Sequence, residues 1–270
     1  MKDTCYEHRE IELPRGHLDP SVDCTYVLIM HGSPREKQIY QELMKAEPTS
    51  KVILQYNQGY KKCDKPLRKD GPNYDLEHAL KQCFKDALSR GYNRVLVLED
   101  DCEFDERIRD SKVIRDLNTF LVDKDPSVYN LGPFVPVVSP MSKITNRKHQ
   151  LLLYNAGSHA NIYNERYMKH AIDHDFMMGH TDMETNRHMS KYMYKVPLAY
   201  QKIIPTENSQ QGWGNIWPIV EAIVVKPFGI DKDVQPGYDR IKRTMDFIVL
   251  TICLLIFFYL IKNKMGKYSK

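Results

Sequence analysis

Three acidic residues in a row, Glu99, Asp100 and Asp101, close the apolar run Val95 to Leu98 in "GYNRVLVLEDDCEFDE". A short continuous apolar run predicts a strand buried on both faces. Adjacent ionised carboxylates 4 Å apart repel by about 1 kcal/mol in water and by nearer ~4 kcal/mol at a protein-like dielectric. A bound divalent cation removes that cost, and hard oxygen ligands suit Mg²⁺ or Mn²⁺. Beside a nucleotide diphosphate, the same cation offsets its charge and stabilises it as a leaving group. The plainer reading is that these acids cap the next segment or face solvent.

Other residues offer chemistry more weakly. The basic loop residues Lys61, Lys62, Lys65, Arg68 and Lys69 face either a phosphate or bulk water. His170 and His174 have the i, i+4 spacing of a zinc pair but lack a third ligand at a recognisable spacing. His159 either completes a metal shell or sits in a strand as an ordinary polar residue. Trp213 and Trp217 either stack on a sugar or base, or pack.

The elements that would position these groups alternate. "TYVLIM" (25–30), "KVILQY" (51–56) and "RVLVLE" (94–99) read as strands. Between them, "REKQIYQELMK" and the stripe Leu76, Ala79, Leu80, Cys83, Phe84, Ala87 and Leu88 read as helices. Asp75 is placed to cap the second helix and Gly91 to end it. A further helix carries Val113, Ile114, Leu117, Phe120 and Leu121, and "SVYNLG" follows as a strand. This alternation predicts an α/β fold with a parallel sheet, whose ligands bind outside the carboxyl ends of the strands. "HQLLLYNAGSHANIYN" predicts two strands about a glycine turn, and "ERYMKHAIDHDF" and "TDMETNRHMSKYMY" predict helices.

The chain has 270 residues, 42% hydrophobic and 27% charged, with a net charge of +4. This suits one large or two small globular domains and excludes a disordered chain. The basic residues are spread out, so no nucleic-acid partner is expected. Six cysteines show neither metal spacing nor a dense disulfide framework, which suggests a reducing compartment.

"FIVLTICLLIFFYLI", Phe247 to Ile261, carries no charge. As a helix it spans roughly 22 Å, which flanking Met245 and a snorkelling Lys262 extend towards the ~30 Å hydrocarbon core. The expected organisation is an irregular leader (1–23), a catalytic domain (24–215), a linker (216–244), a membrane anchor (245–262) and a basic tail (263–270). Basic residues flank both ends of the anchor, so charge bias leaves its orientation open. The N-terminus lacks a signal-like apolar core, which places the catalytic domain on the cytosolic side.

The series "GYNRVLVLEDDCEF", "YNLGP", "AGSHANIYNERY", "HTDMET" and "KVPLAYQ" resembles the family-25 glycosyltransferases, loosely from Tyr26 to about Gln211. That family includes lipooligosaccharide and collagen hydroxylysine galactosyltransferases. The resemblance implies a GT-A-like nucleotide-binding sheet flanked by helices, here with a C-terminal transmembrane helix. It also implies Mn²⁺ or Mg²⁺ and an inverting transfer from a nucleotide sugar, UDP-linked, to a protein or glycan hydroxyl. By position, Asp101 and its neighbour Asp100 would hold the metal and Glu99 would lie near the ribose or donor sugar. The turn at His31, Gly32 and Ser33, with Arg35 nearby, would touch the nucleotide. Two elements depart from the family, "IMHGSPRE" and "DLEHALKQC", and both fall where the donor is gripped.

An inverting displacement needs a base on the acceptor side. In "GHTDMET", Gly179 permits a tight approach and Asp182 opens a helix whose dipole favours an ionised carboxylate. Asp182 therefore reads either as the base or as an N-cap, with Glu184 as the alternative base. Two other functions fit strand-end carboxylates: a metal-dependent nucleotidyltransferase, and a membrane-tethered sugar- or nucleotide-binding protein without turnover.

Overall fold

Three apolar runs build the centre of the sheet. In the computed structural model, which describes residues 5–188, 190–202 and 217–268, β2 (Cys24–Met30) lies parallel to both β3 (Lys51–Asn57) and β4 (Arg94–Glu99). Apart from Met30 at the end of β2, their apolar side chains are buried on both faces, as a strand covered by helices on each side requires. The crossovers are α1 (Glu36–Ala46) and α2 (Pro72–Ser89). Proline at the first turn starts α2, and Gly71 rather than Asp75 occupies its cap position. Gly91, at φ +78°, turns the chain out of α2 as its position predicts.

Beyond β4 the sheet departs from the parallel expectation. A minor sheet pairs β5 (Cys102–Phe104) with β11 (Ala199–Gln201). After α3 (Ser111–Lys124) come β6 (Val128–Asn130) and β7 (Phe134–Val138). A short helix α4 (Pro140–Thr145) leads to β8 (His149–Ala156) and β9 (Ala160–Asn164). Strand β9 runs antiparallel between β4 and β6. With β1 (Tyr6–Glu12) and β10 (Lys191–Tyr194), the nine-stranded order is β1-β3-β2-β4-β9-β6-β10-β8-β7. The sheet is therefore mixed, with one core against α1 and α3 and another against α2 and α5 (Glu165–Asp173).

Residues 1–23 are not an irregular leader. β1 (Tyr6–Glu12) pairs antiparallel along all seven residues of β3 and forms the sheet edge, and Leu13, Leu18 and Val22 enter the core. Its polar sequence fits an edge strand with a solvated face. Cys5, just before β1, forms a disulfide with Cys63. That bridge runs against the reducing compartment expected from cysteine spacing, since disulfides form and persist in oxidising surroundings.

The helix expected over "TDMETNRHMSKYMY" is split. α6 (Thr181–Thr185) ends after five residues, and β10 (Lys191–Tyr194) inserts between β6 and β8. Pairing on both sides overrides the local helical pattern.

Residues 216–244 do not form a free linker. Helical turns Trp217–Val220, Glu221–Val225 and Lys226–Phe228 precede α7 (Val234–Tyr268). Val225, Ile230, Tyr238 and Ile241 bury themselves with Tyr200 against Phe134 and Met245. Past Asp246 the same helix leaves the domain, and Phe247 to Ile261 are largely exposed. Among the described residues this is one helix long and apolar enough to cross a membrane.

Candidate active site

The three acids meet at the carboxyl end of β4, as the sequence predicts, but each has a different partner. Asp100 is buried and committed: Arg35 Nη2 lies 2.7 Å from Oδ1, and Ser33 Oγ donates to Oδ2 at 2.7 Å. Both partners come from the turn after β2, where Gly32 at φ +79° lets the chain reverse into α1. The Arg35 N–H donates to Ser33 Oγ at 3.2 Å, which fixes that hydroxyl. His31 is exposed in the same turn, its ring centroid 6.5 Å from that of Tyr56.

Asp101 is buried and less satisfied. Gln201 Nε2 donates to Oδ2 at 3.1 Å, but Oδ1 is buried with no hydrogen-bond partner among the described residues. Glu99 accepts from Ser158 Oγ at 3.0 Å. Burial, and then the Asp101 charge, push the Glu99 carboxyl above its ordinary range. Burial also raises Asp101, with Asp100 adding and the Gln201 hydrogen bond opposing. A buried carboxylate oxygen without a partner, among acids that resist ionising together, fits a hard divalent cation. Asp101 fits that role directly, whereas Asp100 is already neutralised by Arg35.

A cavity of about 170 Å³ opens here, lined by Leu28, Met30 and Asn57 at the ends of β2 and β3, and by Asp75 and Leu76 of α2. Arg35, Glu99, Asp101 and Gln201 form its polar wall. It is smaller than the ~300–1,000 Å³ of a complete small-molecule pocket, so it suits one part of a larger ligand. Lys65 does not face a phosphate: its ammonium is buried, 2.5 Å from Asp75 Oδ1, and it also bonds Asn57. Arg68 pairs with Glu77 at 2.9 Å.

Asp182 lies within electrostatic reach of both Glu99 and Lys191. It is not the N-cap of α6; His180 holds that position, and Asp182 Oδ1 accepts from the next N–H at 2.9 Å. Glu184, the alternative base, is buried among His170, Arg187 and His188. His159 is wholly buried, and burial pushes its ring down to about 3, so it is neutral. A side chain on Gly132 would bring a Cβ within 2.4 Å of both His159 Nε2 and the Ala199 carbonyl, which explains the glycine in "YNLGP".

Three neighbours of the site are not singled out by the sequence. Gln201 arrives through β11. Lys191, fully buried in β10, donates to Asn155 and Asn186, and burial lowers it to about 7. Tyr238 of α7 accepts from the Gln201 N–H at 3.2 Å. Trp213 lies outside the described residues, and only the backbone of Trp217 is described.

No protein family matches the chain by sequence, and no curated protein does. Among solved structures, A197 from STIV is similar at 13% identity, with a TM-score of 0.41 over 67% of this chain and 86% of that one. HddC from Yersinia pseudotuberculosis is similar at 16% identity and TM-score 0.34, over 71% of this chain and 78% of that one. A glycosyltransferase involved in glycosylation of the major capsid of PBCV-1 is similar at 12% identity. Its TM-score is 0.30, over 55% of this chain and 63% of that one.

Proposed function

We propose that this protein is a glycosyltransferase that moves a hexose from a UDP-linked sugar to a protein or glycan hydroxyl, with Mn²⁺ or Mg²⁺. The observation that carries the proposal is the buried Oδ1 of Asp101, without a hydrogen-bond partner among the described residues, beside the cavity at the carboxyl end of β4. Ligands of open α/β sheets bind at this end.

The cavity beneath α2 takes the base or ribose, with Leu28, Met30 and Leu76 as apolar walls. Asp101 would hold the cation, and Glu99 would lie near the ribose or donor sugar. Held there, such a cation would supply charge that offsets the diphosphate and so favours UDP as the leaving group. Arg35, now on Asp100, is close enough to the cavity to turn to the diphosphate as well. Asp182 takes the proton from the acceptor hydroxyl as it attacks the anomeric carbon. The carbon–oxygen bond to the diphosphate breaks on the opposite face, and the electron pair leaves with UDP.

A thermal-shift screen of UDP-hexoses with and without Mn²⁺ tests this reading. Ligand at 100 times Kd stabilises the fold by about 2.7 kcal/mol, a readable shift. Released UDP supports glycosyl transfer. Released pyrophosphate makes the protein a nucleotidyltransferase, and binding without turnover across donors makes it a binding protein.

A further inference from the structure

A second cluster of metal-binding side chains lies apart from the strand-end acids. Glu184 of α6 is 2% exposed, and its Oε1 faces two imidazoles: His170 Nε2 at 3.7 Å and His188 Nε2 at 3.9 Å. Arg187 engages the other oxygen, Oε2, at 3.3 Å, which leaves Oε1 to the histidines. All three ligand atoms lie within 4.8 Å of one another, and the two rings meet at 79° with centroids 5.0 Å apart. Neither imidazole is within hydrogen-bond distance of the carboxylate.

Two buried polar atoms are left over at this place. His188 Nε2 is buried with no hydrogen-bond partner among the described residues, and so is the hydroxyl of Tyr167. The Tyr167 ring packs on His188 with centroids 4.7 Å apart. An orphaned buried imidazole nitrogen costs stability unless something accepts its lone pair or takes its proton. A tetrahedral zinc ion bonded at about 2.0–2.2 Å holds its ligand atoms about 3.3–3.5 Å apart. Each histidine Nε2 stands within a few tenths of an ångström of that spacing from Glu184 Oε1, and the ligand atoms of the two imidazoles lie within 4.8 Å of each other.

We propose that His170, Glu184 and His188 form a Zn²⁺ site, with water in the fourth position. Two imidazoles and one carboxylate suit zinc among the available divalent ions, and their geometry differs from the all-oxygen set at Asp101. The site ties α5, α6 and the segment before β10 together. α6 has only five residues and no side-chain N-cap bond, so it needs such support. Asp182 lies on that helix, two residues before Glu184. His174 stacks on His170 with centroids 4.0 Å apart and bonds its carbonyl, which orients the helix turn without joining the site.

The test uses the full chain in the Asp101→Ala background, so that metal at the strand-end acids does not interfere. After removal of metals with EDTA, Zn²⁺ binding is measured by calorimetry, and Co²⁺ binding by visible absorption. The expected result is one equivalent of Zn²⁺ and a tetrahedral Co²⁺ spectrum. His188→Gln and, separately, His170→Gln should weaken binding roughly tenfold or more, while His174→Gln leaves it intact. Circular dichroism of each metal-free variant checks the fold, and the more exposed His170 serves if His188→Gln does not fold. Absence of zinc binding overturns the site, as does unchanged affinity in a folded His170→Gln or His188→Gln variant.

Discussion

Asp100 and Asp101 are neighbours in sequence, yet only Asp101 has an open oxygen. Asp100 spends both of its oxygens on Arg35 and Ser33. Asp101→Asn should therefore lower Mn²⁺-dependent UDP affinity by roughly 10-fold or more, and Asp100→Asn by less. Calorimetry on the two variants reads the difference. The raised carboxyls also set a pH dependence. The unfolded chain loses the Glu99 proton near its ordinary value of 4.5, whereas the folded chain keeps it to higher pH. The folded state thus binds more protons above pH 4.5, and its stability from this group is full below that value and lost as pH rises. Without metal, the melting temperature should fall as pH rises from 4.5 through the neutral range, with a shallower slope in Glu99→Gln. Mn²⁺ should flatten the wild-type profile. Asp182 gives a third test, because Asn preserves its shape but accepts no proton. Asp182→Asn should keep the melting temperature and donor affinity and lose roughly 10²-fold or more in turnover. Near-normal turnover would remove Asp182 from the base role.

At the scale of elements, the strands beneath the site are legible in sequence because both their faces are buried. The runs at 25–30, 51–56 and 94–99 all become β2, β3 and β4. The acids are legible because they are contiguous and follow such a run. β1 hides its role, since an edge strand rich in charged residues (Glu7, Arg9, Glu10 and Glu12) looks like a polar leader. β10 hides because "KYMY" becomes a strand only through pairing with β6 and β8, which no local pattern encodes. Gln201 reaches Asp101 across 100 residues of sequence, and Tyr238 reaches Gln201 across 37, so neither carries a spacing signal. Their linkage is testable. Tyr238 is 3% exposed, and its hydroxyl accepts from the Gln201 N–H that positions the Asp101 partner. Tyr238→Ala should cost about 3–5 kcal/mol by loss of a buried aromatic. Tyr238→Phe should cost about 1 kcal/mol, with a measurable loss of UDP affinity if Gln201 shifts. Denaturant unfolding and calorimetry separate the two effects.

For the whole molecule, α7 plays two parts along one 35-residue helix. Its first half belongs to the domain, where Tyr238 and Ile241 are buried and Met245 packs beside them. Its second half, Phe247 to Ile261, offers apolar side chains to the outside. The changeover is marked by Asp246, which takes Lys143 of α4 at 2.5 Å and Lys242 at 2.9 Å. A chain cut after Asp246 keeps these ion pairs and loses only the exposed half. It should be soluble without detergent, with a melting temperature and donor binding close to those of the full chain. A chain cut after Asp233 also removes the stretch of α7 that falls within the expected linker (216–244), and it should behave differently. It loses Tyr238 and Ile241, each worth about 1.5–3 kcal/mol of burial. It also uncovers Tyr200 and releases the Gln201 N–H. That sum, roughly 3–6 kcal/mol, is a large share of the ~5–15 kcal/mol that holds a domain folded. Calorimetric melting of the two truncations decides the matter: equal stability would make the first half of α7 a linker after all, and loss of a cooperative transition in the shorter chain alone would make it part of the folded domain.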